Sequence, residues 1–360
     1  MLAHKYVPSK TTVGGYYISE KLDGTRVFWD GGLSRGCPTK EVPYANITNP
    51  KTGQLKDKIR LQATGLWSRY GNPIAAPDWF LNQLPCCPLD GELWAGRGGF
   101  QLCRSICSRD EPGEDWDKIK FAVFGSPSFD AVFSDGRFNN PNMTYDLLRI
   151  NVDIWLRRTR PAVLGDFQAL EGPKMTFDTE LAFLRDALPC DDDSCVYLLR
   201  QKKLPIGVSK AAKVVEEELN RIIDAGGEGV VMRAPASVWV PKRTRTLLKY
   251  KPMQDADGIV VGFTSGRATE KGSKLLGRIG ALILNYGGKR LELSGLTDEE
   301  RLFKTSSMTH YATTHPGLDM PDDFAGKYFN VGDSVTFKYR ELSVDYIPKE
   351  ARYHRVRDEE

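Results

Sequence analysis

The pattern of hydrophobic and polar residues predicts several strands in the first part of the chain. An apolar, β-rich run at residues 16–19 leads into the polar stretch 20–26, and a second apolar run at 27–29 ends in a turn at 30–32. Two such runs on either side of a short polar stretch are typical of a hairpin. We therefore expect Lys21, within the polar stretch, to lie on or beside a hairpin.

Residues 209–225 have the period of an amphipathic helix. The apolar side chains that share its buried face are Val215, Leu219, Ile222 and Ile223. Ser209 is the predicted N-cap, and Gly226-Gly227 is the predicted end. The next run, 229–232, is apolar at consecutive positions, as expected for a strand buried on both faces.

Beyond Pro252, short apolar runs alternate with glycine-rich turns, and this spacing predicts a small closed β-barrel. The runs are 258–263, 280–284, 289–293 and 334–339. We expect an α+β protein in which residues 1–252 form antiparallel sheets flanked by helices and residues 253–360 form the barrel. Residues 35–62 and 126–205 have little periodicity, so we interpret them as insertions that leave the core.

The composition of the chain argues against several classes of protein. The chain has 360 residues, of which 41% are hydrophobic, enough for one large and one small folded unit. It has no apolar run of about eighteen residues and no secretory-signal pattern at its start, so we expect a soluble, cytoplasmic protein without membrane contact. Seven cysteines without a CxxC pair and four histidines without ligand spacing predict reduced thiols and no zinc site.

Positive charge is distributed unevenly. The formal net charge of +3 does not indicate a nucleic-acid partner by itself, but residues 241–290 contain eleven Lys or Arg against three acids. Such a stretch can neutralise several backbone phosphates. A solvated basic face is the ordinary alternative, and the charge pattern alone does not choose between them.

Charged clusters in apolar strand contexts are the main indication of chemistry. Lys21, with Asp23-Gly24 and Arg26 behind it, is by itself compatible with a turn carrying solvated charges. Four more clusters of charged or aromatic residues occur, at 68–72, 89–93, 227–230 and 249–251. Because charge is costly to bury without a partner or a purpose, their number favours a functional site.

This set, in this order, resembles the covalent nucleotidyltransferase superfamily of ATP-dependent DNA ligases, RNA ligases and mRNA capping enzymes. Residues 20–26 resemble its nucleophile motif, 89–93 its second motif and 121–124 its aromatic motif. Residues 228–231 resemble its metal-binding glutamate motif, and 249–251 resemble its paired-lysine motif. Residues 66–72, 76–77, 89–94 and 96–100 are most similar to the minimal DNA ligases of bacteria and their phages. Gly125 departs from the pattern, because relatives commonly carry an acid there.

The resemblance implies that Lys21 attacks ATP and carries AMP. A lysine side chain in water has a pKa of about 10.4, so it needs neighbouring positive charge and partial burial to supply a free amine. Lys249, Lys251 and a bound Mg²⁺ (or Mn²⁺) are implied to provide that field and to stabilise the phosphate under attack. These three lysines are the expected catalytic residues.

The resemblance also implies the nucleotide and metal ligands. Glu228 is expected to hold the divalent ion, with Glu92 contacting the ribose and approaching the metal. Glu20, Arg26 and Phe124 complete the expected nucleotide site, where Phe124 stacks on adenine. A structural ion pair for Glu228 and a plain core position for Phe124 are the alternatives.

The expected partner is nicked double-stranded DNA. Arg69, with Ser68 beside it, is implied to clamp the 5′-phosphate at the nick, although a surface arginine on a turn is the alternative. The barrel resembles the oligonucleotide-binding (OB) fold that follows this core in the family. The basic side chains expected to contact backbone phosphates there are Arg267, Lys271, Lys274 and Arg278.

The resulting hypothesis is a DNA ligase (ATP) that acts in DNA repair, replication or recombination. We expect a monomer without an obligate protein partner, in the cytoplasm of a bacterium or a phage-infected host. An RNA ligase or a capping-type nucleotidyltransferase is the first alternative, because both share the lysine chemistry. A non-catalytic nucleic-acid-binding protein is the second.

Overall fold

The computed structural model describes residues 1–49, 52, 54–56, 59, 62–128, 131–132, 145–159, 175–190, 192–268, 274–343 and 345–357. The chain divides into two compact units, Met1–Tyr250 and Lys251–Glu360. Helices and mostly antiparallel sheets occur together, so the predicted α+β class is confirmed. The seven cysteines, all within the described residues, are free thiols. None of the described helices is long and apolar enough to cross a membrane.

Two five-stranded sheets form the frame of the first unit. Its strands are β1 (Leu2–Lys5), β2 (Tyr17–Glu20), β3 (Thr25–Asp30), β4 (Leu66–Ser68), β5 (Pro88–Trp94), β6 (Lys120–Gly125), β7 (Val196–Leu198), β8 (Lys202–Lys203), β9 (Val230–Arg233) and β10 (Arg243–Tyr250). One sheet has the order β1-β10-β9-β2-β8 and the other β4-β3-β5-β6-β7. Only β1 with β10 and β6 with β7 are parallel among these pairs.

Helices cover the sheets of the first unit. They are α1 (Asp78–Leu81), α2 (Phe100–Cys107), α3 (Tyr145–Thr159), α4 (Phe177–Ala187) and α5 (Val208–Asp224), with short 3-10 helices at Thr39–Glu41 and Glu114–Lys118. The largest core lies between the second sheet and helices α1, α2 and α4. The apolar face of α5 packs on the first sheet through Ala211, Val215, Leu219 and Ile222. Helices α1, α2, α4 and α5 therefore each bury one face against one sheet.

The predicted hairpin at Lys21 is wrong. Strand β2 pairs with β8 and β9 in the first sheet, whereas β3 pairs with β4 and β5 in the second. Residues 21–24 carry the chain from one sheet to the other. Two strands that are neighbours in sequence have the same hydrophobic pattern whether they pair or separate, so the local pattern could not reveal this crossing.

The interpretation of residues 126–205 as an insertion is wrong for its second half. Helix α4 buries Phe177, Leu181 and Leu184 in the largest core, and β7 pairs with β6. These residues belong to the core although their sequence has weak periodicity. Burial and pairing at long sequence separation supply the stabilisation that local propensity lacks.

The two predicted insertions also pack on each other. Val42 and Tyr44 from the first share a hydrophobic cluster with Leu148, Val152 and Trp155 of α3, which lies in the second. Trp67 of β4 forms the base of this cluster, and its ring meets Tyr44 edge-on at 5.3 Å. The residues of the two segments that form this cluster thus pack beside the second sheet, next to β4.

Helix α5 differs from its prediction at its start. The helix begins at Val208 with Gly207 as the N-cap residue, and no side chain caps it. Ser209 lies inside the first turn, so its predicted capping role is wrong. The following strand, β9, buries Val230 and Met232 but leaves Val231 only half-buried, because that face borders a cavity.

The second unit is an antiparallel sheet with one helix. Its elements are β11 (Gln254–Ser265), β12 (Ile279–Tyr286), β13 (Lys289–Leu293), α6 (Ser306–Thr314), β14 (Ser334–Tyr339), β15 (Glu341–Leu342), β16 (Pro348–Lys349) and β17 (Arg352–Val356). The main sheet has the order β13-β12-β11-β14-β17. A parallel bridge between Ser294 and Arg352 joins its two edges. The apolar runs did not predict α6 or β17, which have no clear period.

Asp30 is a buried hydrogen-bonding centre at the end of β3. Its carboxylate accepts hydrogen bonds from Ser34 Oγ at 2.5 Å, Tyr44 Oη at 2.9 Å and Trp67 Nε1 at 2.8 Å. Burial raises the pKa of Asp30, and these donors counteract that effect. One carboxylate thus satisfies three buried donors from different parts of the chain.

Replacing Asp30 should destabilise the first unit strongly. In Asp30→Ala, each buried donor loses its acceptor at roughly 1–3 kcal/mol, so the free energy of unfolding should fall by at least about 3 kcal/mol. All seven tryptophans belong to the first unit, so tryptophan fluorescence during urea unfolding measures it directly. Asp117→Ala removes an exposed acid and should change stability by less than about 0.5 kcal/mol. Equal effects of the two variants would contradict the interpretation.

Candidate active site

A cavity of about 280 Å³ in the first unit gathers side chains from both sheets. The residues predicted for the site that line it are Glu20, Lys21, Arg26, Arg69, Glu92, Phe124 and Lys249. Strands β2 and β10 carry or precede the residues on one side, and β3, β5 and β6 carry those on the other. Residues far apart in sequence therefore meet because two sheets face one cavity.

The crossing at residues 21–24 places Lys21 in this cavity. The Lys21 backbone N–H donates to the Gly229 carbonyl at 2.8 Å, which extends the pairing of β2 with β9 by one residue. A Cβ atom on Gly24 would lie 2.2 Å from the Leu93 carbonyl oxygen, so only glycine allows the crossing segment to approach β5 this closely. Glycine at this position follows from steric necessity.

Lys21 forms an ion pair with Glu228, which precedes β9. The Lys21 side chain is 24% exposed and that of Glu228 is 11% exposed, so solvent screens the pair only partly. Lys249 of β10 lines the same cavity and lies opposite Val231 in the sheet.

Arg26 is held in place by a buried carboxylate. Its Nε and Nη2 atoms donate to the two oxygens of Asp90 at 2.9 and 2.5 Å. Burial alone would raise the pKa of Asp90, but Arg26 outweighs it and the net pKa is lowered. Trp239 Nε1 donates to the same carboxylate at 2.6 Å. Arg26 Nη1 donates to the Met1 carbonyl, so all three guanidinium nitrogens have protein acceptors and the group is held rigidly at the cavity wall.

Glu92 lies opposite Arg26 in the pairing of β3 with β5. Burial raises the pKa of Glu92 to about 7, against the opposing effects of Lys21 and Arg26. A carboxyl group with this pKa is only partly ionised at neutral pH. Phe124 of β6 lies 5.4 Å from the Arg26 guanidinium, measured to the ring centroid.

Arg69 follows β4 and is exposed at the edge of the cavity. Its guanidinium lies 5.6 Å from the centroid of the Tyr70 ring. Ser68 Oγ accepts a hydrogen bond from the Asn72 backbone at 3.1 Å, which shapes the turn after β4. Of these two predicted DNA-binding residues, only Arg69 borders the cavity.

Comparison with known proteins identifies relatives along nearly the whole chain. No family model matches the chain. The curated DNA ligase of Haemophilus influenzae is 22% identical over 356 residues, which are 99% of this chain and 91% of that protein. The chain is similar to this DNA ligase along nearly its whole length. The resemblance predicted from the sequence motifs is therefore confirmed.

Two solved structures share the fold of this chain. A Lig E DNA ligase, described as binding DNA with a minimal scaffold, has a TM-score of 0.60 and 23% identity, covering 99% of this chain and 98% of its own. The structure named Pmar-Lig_Pre has a TM-score of 0.55 and 18% identity, covering 99% of this chain and 66% of its own. Both comparisons show similarity of fold.

The remaining predicted site residues lie in the second unit. Lys251 is its first residue and follows β10 directly. Arg267 is exposed, whereas Lys274 and Arg278 both approach Asp298, at 3.0 and 3.8 Å. Lys271 lies outside the described residues.

Few carboxylates are available for the divalent-ion site expected from the sequence. Within the described ranges, no group of three or more His, Cys, Asp or Glu residues is arranged to hold a metal ion. Glu228 and Glu92 are the carboxylates associated with Lys21. This donor set fits Mg²⁺, which usually binds one or two carboxylates together with water and substrate phosphates.

A carboxylate from α4 lies where the sequence lacks an acid. A Cβ atom on Gly125 would lie 3.4 Å from both Arg233 Nη1 and Glu180 Oε2, and these two atoms are themselves 3.1 Å apart. The Arg233 guanidinium also lies 4.1 Å from the centroid of the Phe177 ring. Glu180 therefore occupies the space beside Gly125 and neutralises Arg233, which lines the cavity.

Sequence reasoning missed Glu180, Arg233, Asp90 and Trp239 as parts of the site. Glu180 carried a usable signal, because it lies on the apolar face of α4 that also buries Phe177 and Leu184. A charged residue on a buried helix face requires a partner. Trp239 had no such signal, because its position follows from the tertiary structure.

Breaking the pair of Glu180 and Arg233 should destabilise the first unit. Glu180→Ala leaves a buried, unpaired guanidinium, so the free energy of unfolding should fall by about 3–5 kcal/mol. Adding Gly125→Asp should recover part of this loss, because its carboxylate would approach Arg233. Urea unfolding measures both variants.

The matched control for this pair is Glu217→Ala on α5. Glu217 pairs with Lys213 at 3.8 Å, but both side chains are largely exposed, at 59% and 79%. Its loss should cost less than about 0.5 kcal/mol. If Glu180→Ala were as mild as this control, Glu180 would not be the partner that keeps Arg233 neutralised.

Proposed function

We propose that this chain is an ATP-dependent DNA ligase that seals nicks in duplex DNA through a lysine–AMP intermediate. The observation that carries the proposal is the meeting of Lys21 with Arg26, Glu92 and Lys249 at one cavity, with Glu228 bound to Lys21. A partly buried lysine among cations and carboxylates is suited to nucleotidyl transfer.

In the first step, Lys21 Nζ attacks the α-phosphorus of ATP. A phosphorus–nitrogen bond forms, the bond to the β-phosphate oxygen breaks, and pyrophosphate leaves with the electron pair. The amine must be unprotonated, so the ion pair with Glu228 has to be relaxed before attack. Lys249 contributes positive charge that lowers the cost of the free amine and stabilises the phosphate.

A divalent ion fits this step through Glu228. When bound, Mg²⁺ (or Mn²⁺) would neutralise phosphate charge and compete with Lys21 for the carboxylate. Glu92 is the second carboxylate available to the ion or to the ribose hydroxyls. Its pKa of about 7 means that a neighbouring cation would shift it towards the charged form.

The cavity wall provides the nucleotide contacts. Arg26 is fixed by Asp90 and the Met1 carbonyl, and the remaining N–H groups of its Nη1 and Nη2 are assigned to the sugar, while Phe124 offers a ring face to the adenine. Glu20 borders the cavity as well, but its carboxylate is bound by Arg97 at 2.7 and 2.8 Å. We therefore assign Arg26, Glu92 and Phe124 as the main nucleotide contacts.

The second and third steps act on DNA. A 5′-phosphate oxygen of the nick attacks the AMP phosphorus and releases Lys21; the 3′-hydroxyl then attacks the 5′-phosphorus and AMP leaves. Arg69 is exposed at the edge of the cavity, with a planar fork suited to a phosphate. We assign it to the 5′-phosphate, with Ser68 shaping its turn.

The second unit is proposed to be an OB fold that holds the duplex. Its sheet order, the joined edges and the single helix between β13 and β14 support this assignment. Arg267, Lys271, Lys274 and Arg278 supply the positive charge for backbone phosphates. Contacts of this kind give affinity without sequence preference.

Lys21 should become labelled when the protein is incubated with ATP and Mg²⁺. Peptide mapping should find AMP on Lys21, and Lys21→Ala should show no labelling because no amine remains to attack. GTP should label poorly, and nicked DNA should be sealed in preference to nicked RNA. Preferred labelling by GTP would favour a capping-type enzyme, and preferred sealing of RNA would favour an RNA ligase.

The control for labelling is Lys213→Ala, which removes an exposed lysine of α5 and should leave the reaction unchanged. Absence of AMP on Lys21 in folded wild-type protein would overturn the proposed function. Tight binding of nicked DNA without any labelling would favour a non-catalytic nucleic-acid-binding protein.

Charge removal in the second unit should weaken DNA binding in a salt-dependent manner. The triple variant Arg267→Ala, Lys274→Ala, Arg278→Ala removes up to three phosphate contacts, and each contact contributes about 1 to the slope of log K against log salt. Fluorescence anisotropy with nicked duplex across a salt series measures that slope. An unchanged slope, equal to that of Lys213→Ala, would show that DNA does not contact this loop.

A further inference from the structure

The loop after β5 presents an arginine to the segment that carries Lys21. Gly96 and Gly98, on either side of Arg97, have φ values of 85° and 72°, in the left-handed region that favours glycine. The Gly99 backbone N–H donates to the Gly96 carbonyl at 3.0 Å, closing a turn just before α2. This backbone shape fixes the direction from which Arg97 leaves the loop.

Arg97 contacts two separate segments. Its Nε donates to Glu20 Oε1 at 2.8 Å and its Nη2 to Glu20 Oε2 at 2.7 Å. Its Nη1 donates to the Ala225 carbonyl at 3.2 Å, at the C-terminal end of α5. A single guanidinium therefore bridges the end of β2 and the end of α5.

These two segments lead to Lys21 and Glu228. Lys21 follows Glu20 directly, and Glu228 lies three residues after Ala225. Lys21 and Glu228 form an ion pair, and the Lys21 backbone is bound to Gly229. Arg97 itself does not line the cavity.

The contacts of Arg97 determine the orientation of its partners more than they stabilise the fold. The Arg97 side chain is 33% exposed and that of Glu20 is 17% exposed, so the pair contributes little to the free energy of unfolding. Its paired, parallel hydrogen bonds nevertheless define the orientation of the Glu20 carboxylate. Loss of Arg97 should therefore change the placement of Lys21 more than the stability of the fold.

We propose that Arg97 is a positioning residue for the adenylation of Lys21. It aligns Lys21 with Glu228 by binding Glu20 and the Ala225 carbonyl at the same time. The inference rests on the proposed function, because it concerns the first step of that reaction. It also implies that the Glu20 carboxylate binds Arg97 and does not contact the nucleotide directly.

The test compares Arg97→Ala and Arg97→Lys in the full chain, with ATP and Mg²⁺. Arg97→Ala should lower the rate constant of Lys21 adenylation at saturating ATP by about tenfold or more, because small misplacements of a reacting group are costly. The KM for ATP should change by less than about threefold, because the nucleotide contacts remain. Arg97→Lys, which keeps the charge but loses the fork, should fall between the wild type and Arg97→Ala.

Arg109→Ala is the matched control. Arg109 forms the same two-pronged pair with Asp115, at 2.6 and 2.8 Å, in an exposed part of the same unit. Its loss should leave adenylation unchanged. The thermal unfolding midpoints of Arg97→Ala and Arg109→Ala should agree, which separates misplacement of Lys21 from loss of folded protein.

A double-mutant cycle tests the path through Glu20. Glu20→Gln and the double variant with Arg97→Ala should lower adenylation no further than Arg97→Ala alone, because both remove one interaction. Multiplying effects would show that Glu20 contacts the nucleotide itself and would overturn the inference.

The remaining outcomes are equally decisive. A rate constant for Arg97→Ala equal to that of Arg109→Ala, or a loss confined to the KM for ATP, would overturn the positioning role while leaving the proposed function intact. Absence of AMP on Lys21 in the wild-type protein would overturn both.

Discussion

The passage of the chain between the two sheets at residues 21–24 is the constraint on which the first unit depends. The Lys21 backbone is bound to Gly229 on one sheet, and Gly24 lies against the Leu93 carbonyl on the other. The two sheets are thereby tied together at Lys21, the proposed nucleophile. Adding one methyl group at Gly24 would push the two sheets apart. Residues 21–24 therefore determine both the packing of the sheets and the position of Lys21.

Buried charge is the second organising feature, and several charged groups among the described residues are matched by partners from distant parts of the chain. Asp90 binds Arg26 and Trp239, Glu180 binds Arg233, and Lys21 binds Glu228. Such pairs recover little net stability after desolvation, but an unmatched member is costly. Their value lies in fixing orientation, which a reaction with in-line attack requires.

The sequence predicted the residues that line the cavity better than it predicted the pairing of the strands. Charge or an aromatic ring in an apolar strand is conspicuous, and the structure places Lys21, Arg26, Glu92, Phe124 and Lys249 at one cavity. Their grouping could be predicted only from the resemblance to a family. Local pattern does not show which strands pair, so a hairpin was predicted where a crossing exists. For the same reason helix α4 was interpreted as part of an insertion, because its burial depends on packing at long range.

The cluster shared by the two aperiodic segments has a consequence for how the protein responds to damage. Tyr44 and Trp155 come from segments more than a hundred residues apart, and both bury their rings against Trp67 or each other. Neither the stretch 42–44 nor α3 can detach without exposing the aromatic surface of the other. Proteolytic cleavage beside one should therefore release both together, as a single cooperative unit built from two distant parts of the chain.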